Sequence, residues 1–263
     1  MTKSQNTNSW YQNIVPIIGI LIAALLLEKF KTQKLKSMLG VNDLKKELPS
    51  IGSVLLIIAH PDDEIMFWTP TIQTFLGNNI TLKILCLSNG NYNGLGELRE
   101  KEFDDISRAL NLPDNQILNM QELQDNINLK WEPSIVSEQI EEFLKNNEDV
   151  KTIITFDGNG VTKHPNHISC YDGLKYYLNK HSDECKKNKI KVYTLDSFNF
   201  ILQYTIIVPL LNALFKRHGF YLMTFFNSYK YMRYYKTQFN LLRKAHVLLS
   251  GYSYFNSYTK LEY

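Results

Sequence analysis

The sequence is poor in cysteine, with only Cys86, Cys170 and Cys185 among its 263 residues. No two of them form a C-x-x-C pair, and an odd number at scattered positions argues against a disulfide framework. Disulfides persist mainly in oxidising compartments. We therefore expect buried or inert thiols in a protein of a reducing compartment, and not a small secreted scaffold held together by disulfides.

Acidic residues are scarce in the C-terminal quarter, where Glu262 is the only one from Ser197 onward. The same stretch is rich in aromatic residues and carries these basic residues: Lys216, Arg217, Lys230, Arg233, Lys236, Arg243, Lys244 and Lys260. Such a region predicts an anionic surface or ligand nearby. Charged residues still make up 21% of the whole chain, which excludes a polytopic membrane protein and a disordered chain.

The run Trp10–Leu27 contains no charged residue and is about as long as the shortest membrane-spanning helices. Lysines cluster directly after it, whereas Lys3 alone precedes it, and this asymmetry places the rest of the chain on the cytosolic side. A cleaved signal peptide is the alternative, but the run lacks the small residues of a cleavage site. We predict a membrane anchor and basic linker over residues 1–48 and one folded domain over residues 49–263.

Short apolar runs alternate with helical patterns along this domain. The runs that favour buried strands are Val54–Ala59, Leu82–Leu87, Thr152–Phe156 and Ile190–Leu195. The helical patterns between and after them are Ile65–Leu76, Glu97–Leu110, Pro133–Leu144 and His167–Leu178. The alternation predicts an α/β fold: a Rossmann-like, mostly parallel sheet with helices on both faces, preceded by the N-terminal membrane anchor helix.

Two other segments are less specific. The loop Asn89–Gly96 is rich in glycine and asparagine, but its spacing is wrong for a dinucleotide fingerprint. A substrate loop at the carboxyl edge of the sheet is the better interpretation. The apolar segment Phe198–Asn227 is interrupted by Pro209 and by charged residues, so core helices, a surface lying against a bilayer and a second span all stay open.

Reactive side chains directly follow the first predicted strand, in the sequence AHPDDE at 59–64. The carboxyl ends of parallel strands converge on the ligand crevice of such a sheet. Burying a histidine beside three consecutive acids is costly without compensating partners. A divalent cation would offset the negative charge.

A second cluster follows the predicted strand Thr152–Phe156, where His164 and His167 stand at the start of a helical pattern. Residues three apart can share a helix face. Alone, the first motif could be a capped loop, and the second could be a pair of surface histidines. Together, at one sheet edge, they supply the nitrogen and oxygen ligands of a catalytic zinc site that keeps a position open for water.

At these residues the chain resembles the PIG-L/LmbE-like family of zinc de-N-acetylases. AHPDDE at 59–64 matches the first motif of the family in full, and HPNH at 164–167 matches its H-x-x-H motif. The separation of the two motifs along the chain is also similar. The resemblance implies the Rossmann-like fold that the strand and helix patterns already predict.

The resemblance implies a role for each of the motif residues. Zinc, or another divalent cation, would be held by His60, Asp63 and His167. Asp62 matches the general base that takes a proton from the attacking water. His164 matches the residue that stabilises the oxyanion or protonates the leaving amine.

The resemblance also implies substrate contacts through Arg99 and Asp125. A surface ion pair with Glu102 on the same helix is the alternative for Arg99. The likeness runs from about Ser53 to the C-terminus and is greatest for family members that deacetylate N-acetylglucosaminyl-phosphatidylinositol, the second step of GPI-anchor biosynthesis. It implies a single-pass protein of the endoplasmic reticulum membrane with its catalytic domain on the cytosolic face.

Other functions stay open at this point. Another amino-sugar glycoside could be the substrate, or a catalytically silent membrane scaffold could retain the fold. The basic C-terminal region could bind nucleic acid, but the predicted anchor disfavours it. The expected partners are thus a glycolipid substrate and a membrane, without nucleic acid, and the sequence does not indicate an oligomeric state.

Overall fold

A mostly parallel sheet forms the centre of the domain. The computed structural model describes residues 51–112, 115–199, 202–204, 221–223 and 227–263. The strands in these ranges are β1 (Ser53–Ile58), β2 (Leu82–Cys86), β3 (Gln116–Ile117), β4 (Val150–Phe156), β5 (Lys191–Leu195), β6 (Tyr221–Met223) and β7 (Phe255–Lys260). They form one sheet in the order β3-β2-β1-β4-β5-β7-β6. The first five strands run parallel, and β7 is antiparallel to both β5 and β6.

Helices cover the sheet. Those in the described ranges are α1 (Asp63–Phe67), α2 (Thr69–Leu76), α3 (Gly96–Ala109), α4 (Pro133–Lys145), α5 (Gly160–Lys163), α6 (Pro165–Lys180), α7 (Ser182–Lys187), α8 (Asn227–Met232) and α9 (Leu241–Leu249). Every residue from Val54 to Ile58 in β1 is fully buried, although successive side chains of a strand point to opposite faces. Both faces of the sheet are therefore covered, and the predicted mostly parallel α/β architecture is confirmed.

The pattern Ile65–Leu76, predicted as one helix, is two helices. Trp68 separates α1 from α2 with a non-helical φ of −120°. Pro70 lies in the first turn of α2, where the missing N–H of proline costs no hydrogen bond. The break turns α1 into a short helix that belongs to the loop after β1.

The strand β7 was not predicted, because its sequence is polar. Four of its residues, Phe255 to Tyr258, are nevertheless buried. Asn256 donates from Nδ2 to the carbonyl oxygen of Phe67 at 2.6 Å, and Ser257 donates from Oγ to Asp196 Oδ2 at 2.6 Å. Polar side chains can be buried in a sheet at low cost when each finds a hydrogen-bond partner.

The predicted membrane anchor lies outside the described residues, as does most of the apolar segment Phe198–Asn227. Within that segment, Leu202–Tyr204 forms a 3-10 turn and Tyr221–Met223 is the strand β6. Among the residues that the structure describes, no helix combines the length and the apolar composition needed to cross a bilayer.

The three cysteines are buried and form no disulfide, as predicted. Burial raises the pKa of the Cys86 and Cys170 thiols well above the usual value. Because the thiolate is the reactive form, these side chains are inert packing groups.

Helices α4 and α6 are in close contact at Gly173. A Cβ atom at this position would lie 2.2 Å from Val136 Cγ1. We expect Gly173→Ala to force the helices apart and to lower the free energy of unfolding by about 1–3 kcal/mol. Thermal unfolding should show a midpoint lowered by about 2–10 °C. Asn179→Ala, at an exposed position of the same helix, is the control and should leave the midpoint within a degree or two of the original.

Candidate metal centre

The loop between β1 and α1 turns sharply at Asp62. Its φ of 111° is a conformation that non-glycine residues adopt rarely and at a cost. The N–H of Asp62 donates to Glu64 Oε2 at 3.2 Å. The turn brings the Asp63 carboxylate back to the end of β1, where Oδ2 accepts from the N–H groups of Ala59 and His60 at 3.1 and 2.9 Å. The chain thus fixes the orientation of Asp63 through its own backbone.

The loop after β4 is held by Asp157. Its Oδ1 accepts from the N–H groups of Asn159 and Gly160 at 3.0 and 3.1 Å. Positive φ values at Gly160, Val161 and Lys163 bend the chain sharply between β4 and α6. The turn leaves the carbonyl oxygen of Gly160 3.0 Å from Nδ1 of His167.

His60, Asp63 and His167 meet at this edge of the sheet. Each offers a ligand atom, and the three atoms lie within 4.8 Å of one another. Asp63 Oδ1 is 3.3 Å from His167 Nε2, and Asp63 Oδ2 is 3.7 Å from His60 Nδ1. All three residues are buried. The structure therefore brings together the residues that the resemblance implies as metal ligands.

Hydrogen bonds behind the two histidines set their tautomers. Nε2 of His60 faces two acceptors, Asp125 Oδ1 at 3.2 Å and Asn166 Oδ1 at 3.1 Å, so Nε2 carries the proton and Nδ1 is left as a ligand. His167 donates from Nδ1 to the carbonyl oxygen of Gly160, so in the neutral ring Nε2 carries the lone pair and is the ligand atom. Metal-binding histidines usually donate their second N–H to a carboxylate or a carbonyl in this way.

A divalent cation fits these groups. Two neutral imidazole nitrogens and one carboxylate oxygen are a common protein ligand set for catalytic zinc. The ion-pair partners of Asp63 within the described part of the chain are these two histidines. The ionised form of the buried Asp63 carboxylate is therefore stabilised by the histidines or by a bound cation.

The electrostatics of the three ligand residues agree with a bound cation. Burial opposes the charged forms, but the charges and hydrogen bonds of His167 and His60 outweigh it and lower the pKa of Asp63. Burial likewise lowers the pKa of His60, but the hydrogen bond to Asp125 and the nearby carboxylates outweigh it and raise that pKa above 6.5. Metal binding would compete with protonation of His60.

The Asp62 carboxylate is bound by two arginines from distant parts of the chain. Arg99 Nη2 lies 3.3 Å from Oδ1, and Arg243 Nε donates to Oδ2 at 2.8 Å. Arg99 is buried and also donates to the carbonyl oxygens of Gly90 and Pro61, at 2.9 and 2.5 Å. Arg243, on α9, keeps 32% of its side chain exposed. The two guanidinium groups therefore orient Asp62.

A surface pair between Arg99 and Glu102 does not form. Glu102 instead accepts from the N–H and the hydroxyl of Thr237, at 2.8 and 2.5 Å. Arg99 Nη1 lies 3.5 Å from Asp125 Oδ2. Arg99 thus joins the two other acidic residues of the site, Asp62 and Asp125.

His164 lies beside the three ligand residues. Its ring centre is 5.0 Å from those of both His60 and His167. Its Nδ1 accepts from the N–H of Asn166 at 3.2 Å and caps α6. Burial and the neighbouring imidazoles His167 and His60 lower the pKa of His164 to about 4. At neutral pH it is therefore an uncharged ring with its proton on Nε2.

Glu64 links the loop after β1 to the C-terminal region. Its Oε1 accepts a short hydrogen bond from the hydroxyl of Tyr235. Burial raises the pKa of Glu64 to about 8, so the side chain is a neutral, buried acid at pH 7. It supports the loop and adds no negative charge to the cluster at that pH.

Sequence reasoning missed three residues of the site. Asn166 joins both loops, because Oδ1 accepts from His60 and from the N–H of Asn126. Tyr235 and Arg243 reach the site from the C-terminal region. The only signal for Arg243 was the lack of acidic residues in that region. It predicted a nearby anion but did not identify Asp62 as that anion.

A Rossmann-like sheet with two histidines and an aspartate gathered at its carboxyl edge defines an α/β protein with a candidate mononuclear metal centre. The family profile described as PIG-L: GlcNAc-PI de-N-acetylase matches residues 55–178, which include every predicted site residue. This chain belongs to the PIG-L family of GlcNAc-PI de-N-acetylases.

Individual relatives are consistent with this family membership. A Dictyostelium discoideum protein named probable N-acetylglucosaminyl-phosphatidylinositol de-N-acetylase is 34% identical over 244 residues, covering 80% of this chain and 93% of that protein. A Schizosaccharomyces pombe protein of the same name is 36% identical over 163 residues, covering 60% of this chain and 62% of that protein's own length. The N,N'-diacetylchitobiose deacetylase of Pyrococcus horikoshii shares the fold, with a TM-score of 0.55 and 14% identity over 89% of this chain and 92% of that chain.

Gly160 is the backbone support of His167, and a side chain there would displace it. A Cβ atom at Gly160 would lie 2.9 Å from His167 Cβ and 3.0 Å from the backbone nitrogen of Ile168. We expect Gly160→Ala to weaken zinc binding about 10–100-fold, measured by competition with a chelating dye. The control is Gly158→Ala in the same loop, where the nearest atom is 3.3 Å away in the ring of Tyr171. Equal zinc affinity in the two variants would contradict the role of Gly160.

Proposed function

We propose that this chain hydrolyses the N-acetyl group of N-acetylglucosaminyl-phosphatidylinositol, releasing acetate and glucosaminyl-phosphatidylinositol in GPI-anchor biosynthesis. Family membership supports the reaction, and the names of the relatives support the substrate. The single observation that carries the proposal is the convergence of His60, Asp63 and His167, from two loops far apart in the chain.

Zinc is the cation that this donor set favours. His60, Asp63 and His167 would hold it. When bound, the ion supplies polarisation of the amide carbonyl and a lowered pKa for water.

Asp62 acts as the general base. It takes a proton from the attacking water while the water oxygen bonds to the acetyl carbon. The bond between the acetyl carbon and the amine nitrogen then breaks, and the amine leaves with the proton that Asp62 has collected. Arg99 and Arg243 hold the carboxylate in one orientation throughout, through contacts at 3.3 and 2.8 Å.

His164 stabilises the oxyanion as a neutral donor. Because its Nδ1 accepts from Asn166, its Nε2–H is free to donate to the carbonyl oxygen as negative charge develops there. A pKa lowered to about 4 makes it a poor source of a full proton at neutral pH. The proton on the leaving amine therefore comes from Asp62.

The substrate contacts follow from the exposure of the remaining groups. Asp125 keeps 15% of its side chain exposed and accepts from a hydroxyl of the sugar. Arg99 is buried, and its two Nη groups contact backbone carbonyls and carboxylates. It therefore acts on the substrate through Asp62 and Asp125. Arg243 is the more exposed cation and faces the phosphodiester.

We also assign the protein to the endoplasmic reticulum membrane, with its catalytic domain on the cytosolic side. The apolar run Trp10–Leu27 and the lysines after it support this assignment. A lipid substrate requires the site to work at a bilayer surface, which agrees with the basic C-terminal region.

The reaction is tested on the full chain with N-acetylglucosaminyl-phosphatidylinositol in mixed micelles, with acetate release followed by mass spectrometry. We expect activity that a chelator abolishes and added zinc restores. A soluble N-acetylglucosaminyl-inositol is the comparison substrate for the alternative of another amino-sugar glycoside. Faster turnover of the soluble compound would contradict the lipid assignment, and inactivity on both would contradict the enzyme assignment.

The roles of base and ligand are separable by two variants. Asp62→Asn keeps the shape of the side chain but removes the base, so we expect zinc content to stay and turnover to fall about 100-fold or more. His60→Ala removes a ligand, so zinc and activity should be lost together. The zinc content of each purified variant is measured by elemental analysis and compared with its deacetylation rate. Near-normal turnover in Asp62→Asn would remove Asp62 from the mechanism.

A further inference from the structure

Helix α9 presents an apolar face to solvent. Leu241 and Leu242 are 80% and 79% exposed, and Leu248 and Leu249 are 40% and 55% exposed. These four residues and Ala245 lie on one side of the helix, because an α-helix turns by about 100° per residue. We call the four leucines the leucine face.

The opposite side of α9 packs on the metal centre. Arg243 donates to the Asp62 carboxylate at 2.8 Å. His246 and Val247 are buried, and the His246 ring packs edge-on against Phe67 with ring centres 5.5 Å apart. The helix is therefore a single layer between the leucine face and the proposed general base.

Basic residues lie on α9 and on α8, which packs against α9. Lys230, Arg233 and Lys236 are exposed on α8 and the turn after it, and Lys244 lies over the ring of Phe239, 4.7 Å from its centre. Residues 227–261 contain no aspartate or glutamate. Exposed leucines flanked by lysine and arginine are typical of a helix that lies in a membrane interface.

The positive charge near the leucine face indicates what kind of partner binds there. The cytosolic leaflets of cell membranes carry anionic lipids that attract clusters of lysine and arginine. A second copy of the chain would instead bring the same positive charge against itself. An apolar face with a basic rim is thus complementary to an anionic bilayer.

We propose, on the basis of the lipid substrate assigned above, that α9 docks on an anionic bilayer with the leucine face among the acyl chains. Helices of this kind lie about 5–10 Å deep at the boundary of headgroups and acyl chains. In this position Arg243 and Asp62 lie on the side of α9 that faces away from the acyl chains, towards the level of the headgroups. The docking surface is thereby part of the same element that positions the general base.

The depth of α9 can be measured with a single fluorescent label. The native cysteines are buried, so an introduced surface cysteine reacts selectively with a thiol dye. Leu242→Cys carries the label on the leucine face, and Tyr176→Cys, 48% exposed on α6, is the control. Both full-length proteins are reconstituted in vesicles of phosphatidylcholine with phosphatidylserine, and the control label reports the fraction of molecules that face outward.

We expect the label at 242 to be quenched by lipids with a nitroxide close to the headgroup and to be protected from aqueous iodide. The label at 176 should show the reverse. Replacing Lys230, Arg233 and Lys236 by glutamine should reduce the lipid quenching and its dependence on phosphatidylserine. The matched control replaces Lys186, Lys187 and Lys189, which are equally exposed, and should leave the quenching unchanged.

Two results would overturn the docking surface. If iodide quenches the label at 242 as strongly as the label at 176, the leucine face is in water. If the label is shielded from both quenchers, the face is covered by another segment of this chain or by a second copy. Deacetylation is assayed separately on the unlabelled chain: activity without lipid quenching refutes docking alone, and lipid quenching without activity refutes the proposed reaction alone.

Discussion

The buried carboxylate of Asp63 joins the two halves of the metal centre. One oxygen accepts from the N–H groups of Ala59 and His60 and thereby fixes the loop after β1. The other faces Nε2 of His167, in the first turn of α6 directly after the loop that follows β4. A buried charge is stable only when it is paired and hydrogen-bonded. The convergence of the two loops therefore satisfies an electrostatic requirement of Asp63 as well as forming a ligand set.

Local patterns in the sequence predicted the centre of the fold. Runs such as Val54–Ala59 are apolar throughout because both faces of a central parallel strand are covered, and the structure has β1 at that place. The two motifs at the ends of such strands likewise predicted a metal site, and the family resemblance implied His60, Asp63 and His167 as its ligands. A local pattern is therefore sufficient to predict an element that is buried along its whole length.

Such local patterns could not predict the hydrogen bonds between residues far apart in the chain. Arg243 and Asp62 are 181 positions apart, and Tyr235 and Glu64 are 171 apart. No periodicity relates the members of such a pair, and Arg243 and Tyr235 alone resemble ordinary surface residues. The strand β7 was missed for a related reason, because its buried polar residues are acceptable only with partners such as Phe67 and Asp196 from other elements. Only the folded chain shows which partners are available.

The C-terminal region contributes to the site although the family profile ends at residue 178. Tyr235 supports Glu64, Thr237 binds Glu102 and Arg243 holds Asp62. The residues of the recognisable motifs thus depend on side chains outside them for their orientation. Substitutions in this region can alter catalysis without touching a metal ligand.

The position of β7 has a consequence for biosynthesis. It lies between β5 and β6 in the sheet, so β6 has no hydrogen-bonding neighbour within the described strands until residues 255–260 have left the ribosome. The parallel strands can pair earlier, because each has its partner upstream or soon after. During translation the nascent domain therefore exposes the open edge of β5, and unpaired strand edges invite aggregation. Chaperone binding to the growing chain should accordingly persist until β7 is made.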